Sequence, residues 1–129
     1  MNPYTVACVG LANSVEGSLL CGVIEVDTGK VVALHSTDGS AASFEREFVR
    51  SSLELLRGPS QALFGQGEGP AVRATFSEVQ LTSALTCHFA KALNNGVHAL
   101  VLVTRKDTNV GLGWAEVKVT AAALDSVAQ

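Results

Sequence analysis

Two stretches of the chain are apolar at almost every position, and each has the length of a single strand. In residues 18–26 (SLLCGVIEV) the odd and the even positions are both mainly apolar, and residues 98–104 (HALVLVT) repeat this pattern. Side chains alternate between the two faces of a strand, so such a strand needs apolar cover on both sides. The pattern therefore predicts two central strands that lie side by side.

A hairpin partner is predicted for the first central strand. Asp27-Thr28-Gly29-Lys30 has the composition of a tight turn, and the apolar residues 31–35 follow it directly. We therefore expect a second strand over 31–35, antiparallel to the first.

Residues 76–93 alternate between apolar and polar positions, and their length requires two strands with a bend near Ser83. A helix is the competing interpretation, because Ser77–Gln80 resembles a capping box and Asn94-Asn95-Gly96 could end a helix. Asn95-Gly96 is also a favoured hairpin turn, and it leads straight into the strand 98–104. The pattern therefore favours two strands.

Two helices are predicted in the first half. Asn2 is a favoured N-cap residue, and Pro3 is a favoured first residue of a helix. The apolar residues that follow at helical spacing indicate a helix of about three turns. Residues 41–57 carry two neighbouring apolar rows opposite a charged side, and Gly58-Pro59 ends this helix. The glycine-rich segment 58–70 is predicted to be a connector.

A last helix is predicted over about 110–128, with Asn109 as its cap. Glu116, Lys118 and Asp125 are its charged residues. Because so few charges occur along it, we expect this helix to be more buried than an ordinary surface helix. Its two apolar rows comprise Val110, Trp114, Val117, Ala121, Leu124 and Ala128, and Leu112, Ala115, Val119 and Ala122.

The element order is thus α-β-β-α-β-β-β-α, with the glycine-rich connector after the second helix. Strands that follow one another in hairpins give an antiparallel sheet, and the helices must cover its faces. We therefore predict an α+β domain of two or three layers that occupies residues 1–129 as a single unit.

Composition limits the possible functions. Charged residues make up 16% of the chain and hydrophobic residues 47%, whereas soluble domains carry about 25% charged residues. The net charge of −3 argues against a nucleic-acid binder, and the apolar content argues against disorder. The longest uncharged stretch is too short to span a bilayer, and no signal peptide is indicated. We expect a cytoplasmic protein, without membrane contact, that buries part of its surface against another chain.

Candidate residues for metal or cofactor chemistry do not cluster in the sequence. The three cysteines and three histidines are widely spaced and form no zinc-binding pattern. We therefore predict buried, reduced cysteines, no metal site, no cofactor and no catalytic residue. The six residues are Cys8, Cys21, Cys87, His35, His88 and His98.

The triplet Asp27-Thr28-Gly29 is also the signature of aspartic proteases, in which two carboxylates share a proton. A homodimer could supply both carboxylates. However, Lys30 follows where those proteases have a small residue, and a hairpin turn already accounts for the triplet. A dimeric aspartic protease that uses Asp27 is therefore the weaker alternative.

Three segments resemble the roadblock/LC7 family of dynein light chains and bacterial gliding proteins. SLLCGVIEVDTGKVVA (18–33) is similar to the family's first hairpin, and FSEVQLTSALTCHFAKAL (76–93) to its third and fourth strands. HALVLVTRKDTNVGLGWAEVKVTAAALD (98–125) resembles its fifth strand and last helix. The glycine-rich connector and Trp114 depart from this pattern.

The resemblance implies a profilin-like, five-stranded antiparallel sheet of order 2-1-5-4-3 with helices on both faces. It also implies dimers in which the third strands pair edge to edge and the middle helices pack together, here about 76–82 and 41–57. Family members regulate or scaffold small Ras-like GTPases and motor complexes and are not enzymes. The interface residues so predicted are Phe44, Phe48, Leu55, Phe76, Val79 and Leu81.

The resemblance thus implies a non-catalytic homodimer that binds a small Ras-like GTPase or a motor or signalling complex. The Asp27 protease is one alternative. The other is a profilin-like sensor of a small ligand, which a defined pocket between sheet and helix, lined by polar groups, would favour.

Overall fold

A computed structural model describes residues 2–38, 47, 48, 50–52 and 77–127 of the chain. Residues 47, 48 and 50–52 are helical and are called the middle helical segment below. The other elements are the helices α1 (Pro3–Ser14) and α2 (Val110–Val127), a 3-10 turn (Asn94–Gly96), and five strands, β1 (Ser18–Glu25), β2 (Val31–Ser36), β3 (Glu78–Thr82), β4 (Thr86–Leu93) and β5 (His98–Arg105).

The five strands form one antiparallel sheet in the order β2-β1-β5-β4-β3. The α+β fold class and the central position of β1 and β5 are therefore confirmed. Residues 76–93 contain two strands, as predicted, and the helix interpretation is wrong. The bend is stabilised by the Ser83 hydroxyl, which accepts hydrogen bonds from the backbone N–H groups of Leu85 and Thr86 at 3.3 and 3.1 Å.

The two-sided apolar pattern of β1 and β5 corresponds to two separate cores. Helices α1 and α2 cover one face of the sheet, and Phe48 of the middle helical segment covers the other. Helices therefore lie on both faces. The first core includes Cys8, Leu11, Cys21, Val23, Phe89, Leu100, Leu102, Val117 and Leu124. The second includes Ile24, Val26, Phe48, Ala90, Ala99, Val101 and Val103.

Both described helices begin at the residues that the sequence indicates. The Asn2 Oδ1 accepts a hydrogen bond from the Thr5 N–H at 2.7 Å, and Pro3 occupies the first helical position. The Asn109 Oδ1 accepts one from the Leu112 N–H at 3.0 Å. These side chains satisfy backbone donors that the first turn of a helix leaves without a partner.

The burial predicted for α2 is wrong for one of its two rows. Val117, Ala121 and Leu124 are buried against the sheet, whereas every member of the second row is exposed. The sheet and α1 contact one side of α2 and leave its outward side to solvent. The exposed row comprises Leu112, Ala115, Val119 and Ala122.

The predicted helix 41–57 is described in part, since the middle helical segment lies within it. Its other residues, Gly58-Pro59 and the connector 58–70 lie outside the described residues.

Helix α1 offers a simple test of its packing. Gly10 is exposed, and a Cβ atom added there would meet nothing within 4 Å. Alanine has a higher helix propensity than glycine, so we expect Gly10→Ala to raise the free energy of unfolding by about 0.5–1 kcal/mol. Urea unfolding followed by circular dichroism measures this change. A decrease in stability would show that α1 is closely packed at this position.

Candidate functional site

Strand β3 is an edge strand with an exposed apolar side chain. Within the described residues it is hydrogen-bonded to β4 and to no second strand. Val79 and Leu81 point to the face of the sheet that carries Phe48, because Val79 packs with the second core and residues two apart share a face. Val79 is partly covered there, but Leu81 is 47% exposed. The backbone edge and Leu81 together form a surface that another strand can join.

Leu85 extends this surface beyond the end of β3. It lies in the bend between β3 and β4 and is 80% exposed. Leu81 is paired across the strands with His88, and Leu85 immediately precedes Thr86 at the start of β4. Two large apolar side chains are therefore exposed at one end of the same edge. We call Leu81, Leu85 and the outer backbone of β3 the β3 edge.

The opposite face of β3 is fixed to α2 by polar contacts. The Trp114 Nε1–H donates a hydrogen bond to the Gln80 Oε1 at 2.7 Å. The Glu78 carboxylate lies 3.8 Å from the ammonium groups of both Lys91 and Lys118. Trp114 is the residue that departs from the family pattern, and the structure gives it a role. It holds the edge strand in position and so presents Leu81 in a fixed place.

Trp114 is in turn supported by Phe89 of β4. The two rings meet edge to face, with centroids 5.3 Å apart and an interplanar angle of 81°. Gly113 allows this packing, because a Cβ atom there would lie 2.7 Å from the Phe89 Cζ. Phe89 of the first core thus contacts Trp114, and Trp114 binds Gln80 of the edge strand β3.

Phe48 lies over β1 at a point where β1 has a glycine. A Cβ atom at Gly22 would lie 2.8 Å from the Phe48 Cζ and 3.0 Å from the Ala33 carbonyl oxygen. Gly22 is therefore required for the close approach of the phenyl ring to the sheet. The ring is buried, so Phe48 attaches the middle helical segment to the second core.

A groove of about 210 Å³ opens between the middle helical segment and the sheet. Leu20, Phe48 and Val103 give it an apolar floor, and Ser51 and Ser52 are among its polar residues. Small-ligand sites usually enclose about 300–1,000 Å³, so the groove is below the usual size for a sensor pocket. Its other lining residues are Glu47, Thr86 and His88.

His88 lines this groove and is partly buried. Its Nε2 lies 3.0 Å from the Thr86 Oγ1, and burial lowers the pKa of His88 below its ordinary value of 6.5. The folded chain therefore favours the neutral imidazole. Below pH 6.5 the unfolded chain takes up this proton more readily than the folded one, whereas above pH 6.5 the residue is neutral in both.

We therefore expect stability to decrease as the pH falls through 6.5 toward the lowered pKa of His88, and His88→Gln to weaken this dependence. Urea midpoints of the wild type and the variant, each at about pH 7.5 and 5.5, measure the effect. The difference between the two pH values should be smaller in the variant. Equal differences would show that His88 makes no contribution.

Of the six interface residues that the resemblance implies, the structure describes three. Phe48 and Val79 meet in the second core, and Leu81 is exposed on the same face. Phe44, Leu55 and Phe76 lie outside the described residues. Sequence reasoning missed Leu85 and Gln80. In the sequence, Leu85 is one apolar position of an alternating run, and nothing marks it as exposed. Nothing in the sequence around Gln80 indicates that its side chain binds Trp114.

The Asp27-Thr28-Gly29 triplet forms the turn between β1 and β2. The Thr28 hydroxyl donates to the Glu25 carboxylate at 2.8 Å, and the Lys30 N–H donates to the Thr28 Oγ1 at 3.1 Å. Gly29 has φ of 78°, a conformation that favours glycine. These contacts and the conformation of Gly29 stabilise a turn, and the protease alternative is not favoured.

The cysteines Cys8, Cys21 and Cys87 are buried free thiols. A hydrogen bond with the Cys8 thiol, together with burial, raises the pKa of the Cys21 thiol, which keeps it protonated and unreactive. Among the described residues, no three His, Cys, Asp or Glu side chains are grouped as metal ligands. The described helices also include none that is long and apolar enough to cross a membrane.

Several solved structures have a similar fold. The chain is similar to a roadblock/LC7 domain from Streptomyces avermitilis, with a TM-score of 0.69 and 18% identity over 95% of both chains. It is similar to MglC from Myxococcus xanthus, with a TM-score of 0.65 and 23% identity over 97% of this chain and 98% of that one. No protein-family model and no curated protein matches the sequence.

Profilin II from Acanthamoeba castellanii is a more distant neighbour. Its TM-score is 0.56 at 15% identity, over 99% of this chain and 98% of that one. The chain therefore has the roadblock/LC7 fold, with the broader likeness to profilin that the sequence implied. The resemblance stated from the sequence is confirmed at the level of the fold.

Proposed function

We propose that this chain, with its roadblock/LC7 fold, is a non-catalytic regulatory or scaffold domain that acts as a dimer. Its partner would be a small Ras-like GTPase or a motor or signalling complex. The exposed β3 edge is the observation on which this proposal depends. In the family that the sequence resembles, the third strand is the one that pairs between subunits.

The dimer would form by antiparallel pairing of β3 with β3 of a second copy. Such pairing supplies partners for the outer backbone groups of β3 and buries Leu81 against the second subunit. Phe48 and Val79 would support the interface from the second core beneath it. We propose that Phe44, Leu55 and Phe76 also belong to this interface. We further propose that residues 1–129 form one domain and that the protein is cytoplasmic.

Regulation of a GTPase would follow from a preference of the dimer for one nucleotide state. A partner that binds one arrangement of the switch regions more tightly shifts the equilibrium toward that arrangement. This mechanism needs a preformed surface and no reacting group. It agrees with a fold in which Trp114 and Gln80 hold the edge strand in place.

Affinity capture from the native lysate tests this function. Tagged wild type would be incubated with GDP or with a non-hydrolysable GTP analogue, and retained proteins identified by mass spectrometry. We expect a small Ras-like GTPase to be retained with at least about fivefold preference for one nucleotide. Leu81→Lys should retain much less of it. If neither nucleotide leads to retention of a GTPase, the GTPase proposal is wrong.

A further inference from the structure

The backbone groups of β3 alternate between β4 and the open edge, and two hydrogen bonds show which residues bond to β4. The Ala92 N–H donates to the Ser77 carbonyl oxygen at 2.8 Å, just before β3 begins. The Ser83 N–H donates to the Thr86 carbonyl oxygen at 2.8 Å, just after β3 ends. Hydrogen-bonded and non-hydrogen-bonded pairs alternate along an antiparallel ladder, so the odd-numbered residues of β3 bond to β4.

The even-numbered residues of β3 therefore direct their backbone N–H and C=O groups toward the open edge. Their side chains lie on the face of the sheet that α2 covers, as the hydrogen bond between Gln80 and Trp114 shows. Val79 and Leu81 lie on the opposite face, which carries Phe48. The outward-directed residues are Glu78, Gln80 and Thr82.

These directions restrict how β3 can pair with β3 of a second copy. Hydrogen-bonded pairs must join residues whose backbone groups point outward, and residues directly opposite each other share a face of the sheet. Both conditions place even-numbered residues opposite even-numbered residues. A two-fold axis between the strands then lies at a residue, where that residue meets its own copy.

One register uses all of the outward-directed residues. With the axis at Gln80, this residue meets the partner's Gln80, and Glu78 meets the partner's Thr82 in two symmetric pairs that each exchange both N–H···O bonds. An axis at Val79 would place Thr82 beyond the start of the partner's β3. An axis at Leu81 would place Glu78 opposite the bend after the partner's β3. Axes nearer either end of the strand leave more outward groups without a partner.

The side chains also match in the register centred on Gln80. On the Phe48 face, Val79 lies opposite the partner's Leu81, so each Leu81, 47% exposed in the single chain, gains an apolar neighbour. Glu78 lies opposite the neutral Thr82. The two copies of Glu78 are four residues apart, about 14 Å along the strand, so their charges are well separated.

Gln80 is suited to the position on the axis. Its Oε1 accepts the Trp114 Nε1–H at 2.7 Å, which leaves the Nε2 donors of the amide and the second lone pair of the oxygen. Each amide can thus donate to the amide of its own copy and accept from it.

We propose that β3 pairs with β3 of a second copy in this register, with Gln80 on the two-fold axis. The inference rests on the proposed function, which supplies the dimer, and adds which residues meet across it. The strand is complementary to itself in backbone groups, apolar side chains and charge, which favours a homodimer.

Disulfide formation by single cysteine variants tests the register. Opposite residues of a hydrogen-bonded pair have Cα atoms about 5.5 Å apart, within the range of a disulfide, so Gln80→Cys should link to its own copy. Leu81→Cys is the matched control, because Gln80 and Leu81 are both exposed. The Cα atoms of the two copies of Leu81 would be about 8 Å apart, too far for a disulfide.

The variants would be treated with oxidised glutathione at micromolar protein concentration, and the covalent dimer quantified on a non-reducing gel. Because the native cysteines are buried, the wild type should give little covalent dimer. We expect at least about fivefold more covalent dimer from Gln80→Cys than from Leu81→Cys. Equal yields, or a higher yield from Leu81→Cys or Val79→Cys, would overturn the register.

Failure of the register is distinguishable from failure of the proposed function. A wild type with the mass of two chains in light scattering, without preferential cross-linking of Gln80→Cys, would overturn the register alone. A monomeric wild type would overturn both.

Charge placement at Thr82 gives a second readout that leaves Gln80 and Trp114 unchanged. Thr82→Glu places a carboxylate opposite the partner's Glu78 and should raise the dissociation constant of the dimer about three- to tenfold, whereas Thr82→Lys should lower it. Within one chain the two positions are about 14 Å apart, beyond the screening length, so they do not interact directly. Glu78→Gln should therefore remove most of the difference between the Thr82 variants in a light-scattering dilution series. A difference that persists in the Glu78→Gln background would contradict the register.

Discussion

Replacing Phe89 with alanine is expected to cost about 3–5 kcal/mol of the free energy of unfolding. Among the described residues Phe89 is the largest fully buried side chain, and it contacts both Trp114 and the Gly113 backbone. Its removal leaves a cavity between the sheet and α2 that neither element can close without moving. Since domains of this size are stable by about 5–15 kcal/mol, the variant would lose a large share of its stability.

Urea unfolding followed by tryptophan fluorescence measures this loss, with Trp114 itself as the probe. The control is Leu85→Ala, which removes an 80% exposed side chain and should change stability by less than about 0.5 kcal/mol. A loss for Phe89→Ala of below about 1 kcal/mol would contradict the core described above. Where the variant still folds, weaker protection of β3 amides against hydrogen exchange should accompany the loss of support for Trp114.

Gly22→Ala is expected to destabilise the chain by about 1–3 kcal/mol, although alanine usually stabilises a strand relative to glycine. The new methyl group would lie within 3.0 Å of both the Phe48 ring and the Ala33 carbonyl oxygen. Strand β1 is hydrogen-bonded on both sides, to β2 and β5, so its backbone cannot move away. The Phe48 ring must therefore shift, and the middle helical segment with it.

Gly10→Ala is the matched control for this variant, because the same change in α1 is expected to raise stability. Opposite signs in urea unfolding would show that the effect depends on contact with Phe48. If Gly22→Ala were neutral, or if Phe48→Leu did not relieve its effect, then the packing of Phe48 over Gly22 would be wrong.

Much of the sheet was predictable because its determinants are local. The two-sided apolar pattern of 18–26 and 98–104 gave the central strands, and turn residues such as Ser83 and Gly29 separated the elements. The same pattern placed these two strands side by side, whereas the full order 2-1-5-4-3 came from the family resemblance, since residue patterns do not specify the positions of the outer strands.

The contacts that present the β3 edge were not predictable in the same way. Trp114 and Gln80 are 34 residues apart, and nothing in either local pattern pairs them. The sequence also could not show which side of α2 the sheet covers. The pattern has two apolar rows; the structure buries Val117, Ala121 and Leu124 of the first and exposes all four residues of the second.

The central claim, self-association through the β3 edge, is tested most directly by the molar mass in solution. Light scattering should give the wild type a mass of twice the 13.4 kDa chain, and Leu81→Lys the mass of one chain. The same change at Leu19, which is 38% exposed on β1 and separated from β3 by β5 and β4, should leave the mass unchanged. A monomeric wild type at micromolar concentration, or a mass unaffected by Leu81→Lys, would contradict the claim.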